Sequence, residues 1–271
     1  MTCKYCKSDK YKHLFEVNGK DIVECLECGL VRTNCRDFEK YDNYHRDDKE
    51  YRSDEELFKN IFIRRFQTIS RYKKKGKILD IGSSTGTMLS IFKDHGWQVW
   101  GVEPSASFKY ANKKGIKTTN STFEKAKLPL NYFDVVIMNH TFEHVEDPVA
   151  VVKKIYAVLK IKGLVYIDVP NFGGFDAKIR GNNWGYLMPN EHVHHFTPNT
   201  LKMIIRKAGF EIVWWGSWSG IFDVASIGAL MKFNLVNLRK AFFKNIVYAP
   251  FNLITTCAKR GSSLAVIGIK K

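Results

Sequence analysis

Short apolar runs, divided by turn-forming residues and by stretches of helical spacing, set the pattern of this chain. Lys77-Ile78-Leu79-Asp80-Ile81 breaks into Gly82-Ser83-Ser84-Thr85-Gly86, and a helix-like stretch leads to Gln98-Val99-Trp100-Gly101-Val102-Glu103. Phe133 to Met138 is mostly apolar, as expected of a buried parallel strand. Asp147 can then act as an N-cap and Pro148 as the first helical residue. Val149, Val152, Tyr156 and Leu159 keep helical spacing, with Gly163 expected to end the helix and Leu164 to Val169 to form the next strand. Upstream, Leu57, Ile61, Phe62, Phe66 and Ile69 predict a helix from Glu55 to Tyr72. Strands alternating with helices imply an α/β fold around a parallel sheet.

The first turn carries the chemistry. A dinucleotide fingerprint needs glycines at its first, third and sixth positions to bring backbone N–H groups onto a pyrophosphate. Counted from Gly82, those places hold Gly82, Ser84 and Thr87, and the second glycine falls at Gly86. Asp80 stands just before the turn, where a pyrophosphate has no use for an anion. A ligand carrying an ammonium and a sulfonium does. An ordinary α/β turn followed by a surface glutamate is the other reading of this stretch.

Asp80 to Gly86 with Glu103 resembles the first motif of class I S-adenosylmethionine-dependent methyltransferases, although Ser84 replaces a glycine often found there. By that resemblance Asp80, Gly82, Ser84 and Gly86 border the methionine part of S-adenosyl-L-methionine, and Glu103 accepts from the ribose hydroxyls. Asn139-His140-Thr141-Phe142-Glu143-His144-Val145-Glu146-Asp147-Pro148 resembles the signature after the fourth core strand in the branch that holds ubiquinone and menaquinone methylases, which places Asn139 beside the cofactor. The family's fold is a Rossmann-like, seven-stranded, mostly parallel sheet between helices. Glu211 to Trp215 and Ser263 to Ile269 look like its final strand pair, with the last strand antiparallel.

Cysteine spacing adds a second module. Cys3, Cys6, Cys25 and Cys28 form two C-x2-C pairs, and Asn18-Gly19 between them can turn a hairpin that brings the pairs together. Four thiolates at tetrahedral reach select Zn(II) and leave no open position, so the expected zinc is structural. A redox dithiol or an iron site is the alternative. Cys35 and Cys257 read as ordinary thiols. The expected organisation is a zinc ribbon over 1–35, a linker with Tyr41, Tyr44, Tyr51 and the leading helix over 36–75, and a methyltransferase domain over 76–271 with a helical insertion at 219–260. The linker tyrosines and helix either cover the cofactor or simply pack.

A methyl acceptor that is a hydroxyl or a carbon acid gains from a base at the carboxyl ends of the strands. His140 and His144 follow one strand, and Pro189-Asn190-Glu191-His192-Val193-His194-His195-Phe196 lies in a later connection. The run from Glu191 to Glu211 resembles the sugar C-methyltransferases, which also carry an N-terminal zinc module. By that resemblance His192 is the base and Glu191 holds the acceptor, with His144 a second candidate catalytic residue. The tyrosine usual three residues before the base is replaced by Pro189, with Tyr186 nearby, and that family's extra C-terminal domain has no counterpart. Capping or packing is the other role open to these histidines.

The formal charge of the 271 residues is +16, which implies an anionic partner. The chain opens without an apolar leader and no run suits a membrane span, so the cytoplasm is the expected compartment, with peripheral contact at its membrane face. From Ile212 onward there are eight Lys/Arg and one acid, Asp223. Leu230, Phe233, Leu238, Phe242 and Ile246 are spaced for one helical face, which can cap the core or a dimer interface, or lie on an anionic membrane through 227–256. The leading reading is a methyltransferase acting on a small anionic acceptor, a nucleotide- or lipid-linked sugar. An rRNA or tRNA methyltransferase gripping RNA through the basic ribbon, and a quinone O-methyltransferase, are the alternatives.

Overall fold

The computed structural model describes residues 2–35, 54–236 and 241–271. Tyr41, Tyr44 and Tyr51 of the linker, and Leu238, Arg239 and Lys240 of the C-terminal insertion, lie outside the described residues.

Seven strands form the main sheet: β4 (Lys77–Ile81), β5 (Gln98–Val102), β6 (Lys117–Thr119), β7 (Phe133–Asn139), β8 (Leu159–Pro170), β10 (Phe210–Trp218) and β11 (Ser263–Lys270). Their spatial order is β10-β11-β8-β7-β4-β5-β6, and only β11 runs against its neighbours. Both faces of the sheet are covered, which is why its strands read as continuous apolar runs. Ile78, Val135 and Ile137 point to one face with Phe62 and Ile69 of α1 (Glu55–Ser70) and Phe92 of α2 (Thr87–Asp94). Leu79, Val136 and Met138 point to the other. There they meet Ile155 of α4 (Pro148–Val158) and Leu201 of α6 (Pro198–Lys207), while α3 (Phe108–Lys113) flanks β6.

Asp147 caps α4 by accepting from Ala150 N at 3.0 Å, with Pro148 opening the helix as its fixed φ allows. The helix stops at Val158, not at Gly163. Leu159 turns to extended backbone and pairs with Phe133, so this fully buried leucine belongs to β8. The described residues of the C-terminal insertion hold two helical segments, α7 (Ile227–Val236) and α8 (Ala241–Cys257). Leu230 is buried, whereas Ile246 is exposed.

A second sheet has the order β1-β2-β3-β9, from β1 (Tyr11–Val17), β2 (Lys20–Cys25), β3 (Val31–Asn34) and β9 (His194–His195). Asn18 and Gly19 turn the first hairpin at φ of 52° and 72°, the left-handed pair that two-residue hairpins favour. The last strand of this sheet comes from the far side of the sequence, with Val31 opposite His195 and Arg32 opposite His194. Cys3, Cys25 and Leu30 pack into the same cluster as Phe142 and Phe196. The front module is therefore built onto the connection that carries the histidines.

Helix α1 is tied to the sheet by a buried ion pair. Arg65 meets Asp168 of β8 at 2.8 Å and also pairs with Asp223. Tyr166 and Ser263 donate to the same Asp168 carboxylate at 3.1 and 2.8 Å.

Candidate active site

The chain runs from β4 outward through β5 and β6, then returns to β7 on the other side of β4. Ligands of open α/β sheets bind outside the carboxyl ends of the strands at such a reversal. A crevice of about 200 Å³ opens there, lined by Gly82, Pro104, Phe123, Met138, Thr141 and His144 among others.

Gly82 and Gly86 are held in the left-handed region at φ of 76° and 74°. A Cβ on Gly82 would come within 2.3 Å of Thr141 Oγ1, and one on Gly86 within 2.9 Å of Ala111 Cβ. Glycine is thus needed for both conformation and space. Ser84 takes the left-handed conformation too, and its N–H donates to Glu103 Oε2 at 2.7 Å. The other oxygen of the fully buried Glu103 accepts from Ser105 N at 2.8 Å. Asp80 is buried with Oδ1 unpartnered, and Asn139 Oδ1 is a buried acceptor in the same condition. Burial, then the charge of Glu103, pushes the Asp80 carboxyl well up. A cationic ligand would complete this set. Two orphan acceptors, a buried acid and a glycine-lined cradle fit the methionine end of S-adenosylmethionine.

Beside the crevice lies a cluster of imidazoles around one acid. His144 and His192 face each other edge to face, ring centroids 4.8 Å apart. His144 Nδ1 donates to Glu191 O at 3.0 Å, and His192 Nδ1 donates to Tyr186 O at 2.8 Å. A carbonyl partner makes Nδ1 the donor nitrogen of each ring. Glu143, only 1% exposed, sits beneath them with Oε1 4.0 Å from His192 Nε2 and 3.5 Å from His140 Nδ1. Burial favours its neutral form, but His140, His144 and His192 outweigh that and pull its pKa to about 2. His192 is 4% exposed, and burial, partly offset by Glu143, lowers it to about 4. It is therefore neutral at physiological pH.

Among the residues expected from sequence, the structure brings Asp80, Gly82, Ser84, Gly86, Glu103 and Asn139 to one end of the sheet, with His144 and His192 beside them. Glu191 supplies its backbone carbonyl to His144. The acid next to His192 is Glu143, to which its sequence context alone assigns no role. Its signal was its place between His140 and His144, at the end of an apolar strand.

The front module supports this cluster directly. Thr33 is fully buried, and its hydroxyl donates to His192 O at 2.7 Å while meeting His195 Nε2 at 3.0 Å. Thr33 N donates to Val193 O. The sulfurs of Cys3, Cys6, Cys25 and Cys28 all lie within 4.8 Å of one another. Backbone N–H groups of Cys6 and Tyr5 point at the Cys3 sulfur, that of Ser8 at Cys6 and that of Leu30 at Cys28.

This sheet order, glycine turn and buried acid pair define an S-adenosylmethionine-dependent methyltransferase domain of class I. Residues 50–214 match the methyltransferase domain family, and the chain belongs to it. Among individual proteins, the chain is 25% identical over 142 residues to the C-methyltransferase NovU of Streptomyces niveus, covering 50% of this chain and 33% of that one. It is 36% identical over 102 residues to a ubiquinone biosynthesis O-methyltransferase of Bradyrhizobium sp. (strain ORS 278), covering 35% and 40%. The matched segments thus span about a third to two fifths of the length of these curated relatives. Among solved structures, a SAM-dependent methyltransferase from Archaeoglobus fulgidus shares the fold with a TM-score of 0.58 at 22% identity, over 82% of this chain and 97% of that one. Phosphoethanolamine N-methyltransferase 2 of Haemonchus contortus, solved with S-adenosyl-L-methionine, gives 0.60 at 16% identity over 89% and 62%.

Proposed function

We propose that the protein transfers the methyl group of S-adenosylmethionine to a small anionic acceptor, a nucleotide- or lipid-linked sugar, with His192 as general base. The observation that carries this reading is the His192 imidazole, held neutral and packed edge to face on His144, which lines the crevice. S-adenosylmethionine brings the electrophilic methyl and its own leaving group. The chain has to orient the acceptor and take its proton. His192 Nε2 accepts that proton, and the Glu143 carboxylate stabilises the imidazolium that results. His144, fixed by the Glu191 carbonyl, lines the crevice and orients the acceptor. The resemblance of residues 191–211 to the sugar C-methyltransferases supports a sugar acceptor, the similarity to the C-methyltransferase NovU is in keeping with it, and the net charge of +16 suits a phosphorylated one. The stretch shared with the ubiquinone O-methyltransferase favours a second reading, methylation of a quinone hydroxyl by the same base.

The four sulfurs match in number and type the tetrahedral thiolate shell of Zn(II), with backbone N–H groups placed to stabilise thiolate charge. We assign that ion a structural role. It holds β3 where Thr33 reaches the His192 backbone.

The test is transfer of labelled methyl into extract from cells lacking the gene, fractionated into RNA, lipid and small-molecule pools. Label in the small-molecule or lipid pool is expected, and RNase-sensitive label would replace the sugar reading with an RNA one. With the acceptor in hand, His192→Ala should lower turnover by about 10²–10⁴-fold and leave cofactor affinity within a few-fold. Unchanged turnover would remove His192 from the mechanism.

A further inference from the structure

The last turns of helix α8 place their polar side inward. Thr255 is buried and its hydroxyl donates to Ser219 Oγ at 3.0 Å, and Thr256 Oγ1 accepts from Ser219 N at 3.2 Å. Asn252 lies against Gly220, where a Cβ would fall 2.3 Å from its Nδ2. Val247 and Ile254, 73% and 63% exposed, lie with the exposed Ile246 and Phe251 along the opposite side at the spacing of one helical stripe. A helix of a globular protein ordinarily turns such a stripe toward its core. A contiguous exposed apolar face marks an interaction site or a membrane contact.

Helix α5 (Phe175–Arg180) adjoins this face. Phe175 N donates to Arg260 O at 2.9 Å, the Arg260 guanidinium stands over the Phe175 ring, and Tyr248 is close enough to affect Arg180. Ile179 at its end is 70% exposed. Lys178 of α5 and Lys259 and Arg260, which follow α8 directly, are exposed, with Lys259 over the Trp215 ring, and Asp176, the acid of α5, is paired with Arg180. An apolar stripe followed by exposed cations complements a bilayer interface with anionic headgroups. A second copy of this chain would bring the same cations against them.

The position of the face matters as much as its chemistry. Strand β10 runs parallel to β8, so its end at Trp218 lies on the edge of the sheet where the crevice opens. Ser219, the anchor of α8, is the next residue, and α5 follows β8 at that same edge.

We propose that α8 and the end of α5 seat the protein on an anionic bilayer surface, presenting the crevice to a lipid-linked acceptor. This choice of acceptor rests on the sugar-transfer reading above, whereas docking on the bilayer does not. The full-length protein should sediment at low salt with phosphatidylglycerol-containing vesicles and weakly with pure phosphatidylcholine. Val247→Asp combined with Ile254→Asp should weaken that binding by about tenfold or more, since each residue gives up a buried apolar side chain. Its affinity for S-adenosylmethionine, a measure of intact folding, should stay within about twofold because neither residue approaches the crevice. Absence of sedimentation, or equal binding by the double variant, would overturn the docking. So would a wild-type dimer, free of vesicles, that the double variant converts to monomer. Vesicle binding with label confined to water-soluble acceptors would leave the docking and overturn the lipid-linked acceptor.

Discussion

His192 takes its chemistry from three residues distant in sequence or in burial: Tyr186, whose carbonyl fixes its tautomer, Glu143 beneath it and Thr33 behind its backbone. The cost of this arrangement is visible in stability. His192 and His194 are both lowered to about 4, His192 by burial and His194 by burial and Arg32. Histidines of the unfolded chain titrate near 6.5. Between those values the unfolded state binds more protons, so the contribution is complete above about 6.5 and is lost as pH falls toward about 4. Glu143, lowered to about 2, adds a loss of the same sign further down, below the ordinary glutamate range. The urea midpoint should therefore fall steadily as pH is lowered from neutral through the ordinary histidine range. A flat profile there would mean that these imidazoles already accept protons in the folded protein. The clustering of Asp80, Gly82, Gly86 and Glu103 at one end of the sheet was legible because they fall in one short β-α-β stretch. The pairing of Glu143 with His192 was not, because it joins segments that only the folded sheet brings together.

Local signals placed most elements well: the Asp147-Pro148 helix start, the Asn18-Gly19 turn and the two closing strands all stand where their residues imply. The end of α4 was missed because Leu159 fits a helical stripe and a buried strand equally, and pairing with Phe133 decides for the strand. The clamp on α1 had no periodic signature at all. Arg65 is the second of two adjacent arginines in an amphipathic helix, with nothing in the pattern to mark it as the buried one, and Asp168 is a lone acid in an apolar strand. Each is buried and is tolerable there because it is paired, Arg65 with Asp168 and Asp223, and Asp168 with Arg65, Tyr166 and Ser263. Arg65→Met should cost about 3–5 kcal/mol, the range for removing one partner of a buried pair. Thermal or urea unfolding measures it. Loss of less than about 1 kcal/mol, the scale of an exposed pair, would show that water reaches Asp168.

As a whole, the molecule is two sheets joined through a segment that serves both. Two-residue β9 is too short to announce itself by alternation, so its pairing with β3 of the front module has no signal in the sequence. Metal should therefore act at a distance. One zinc per chain is expected by elemental analysis of protein purified without chelator, and finding none would remove the assignment. Stripping the ion should raise amide exchange at Thr33 and His195 together with the cysteine loops, since β3 loses the module that positions it. Exchange confined to the cysteine loops would show that β3 and β9 hold without the metal.

The β3–β9 ladder also has a history during synthesis. Thr33 and His192 are 159 positions apart, so at ribosomal speeds β3 waits roughly 8–30 s for its partner. Through that interval the first three strands, already able to gather their cysteines, present an unpaired edge to whatever extended chain is nearest. The nearest such chain on a polysome is another nascent copy, and an exchanged edge strand is the trap to which this architecture is most open.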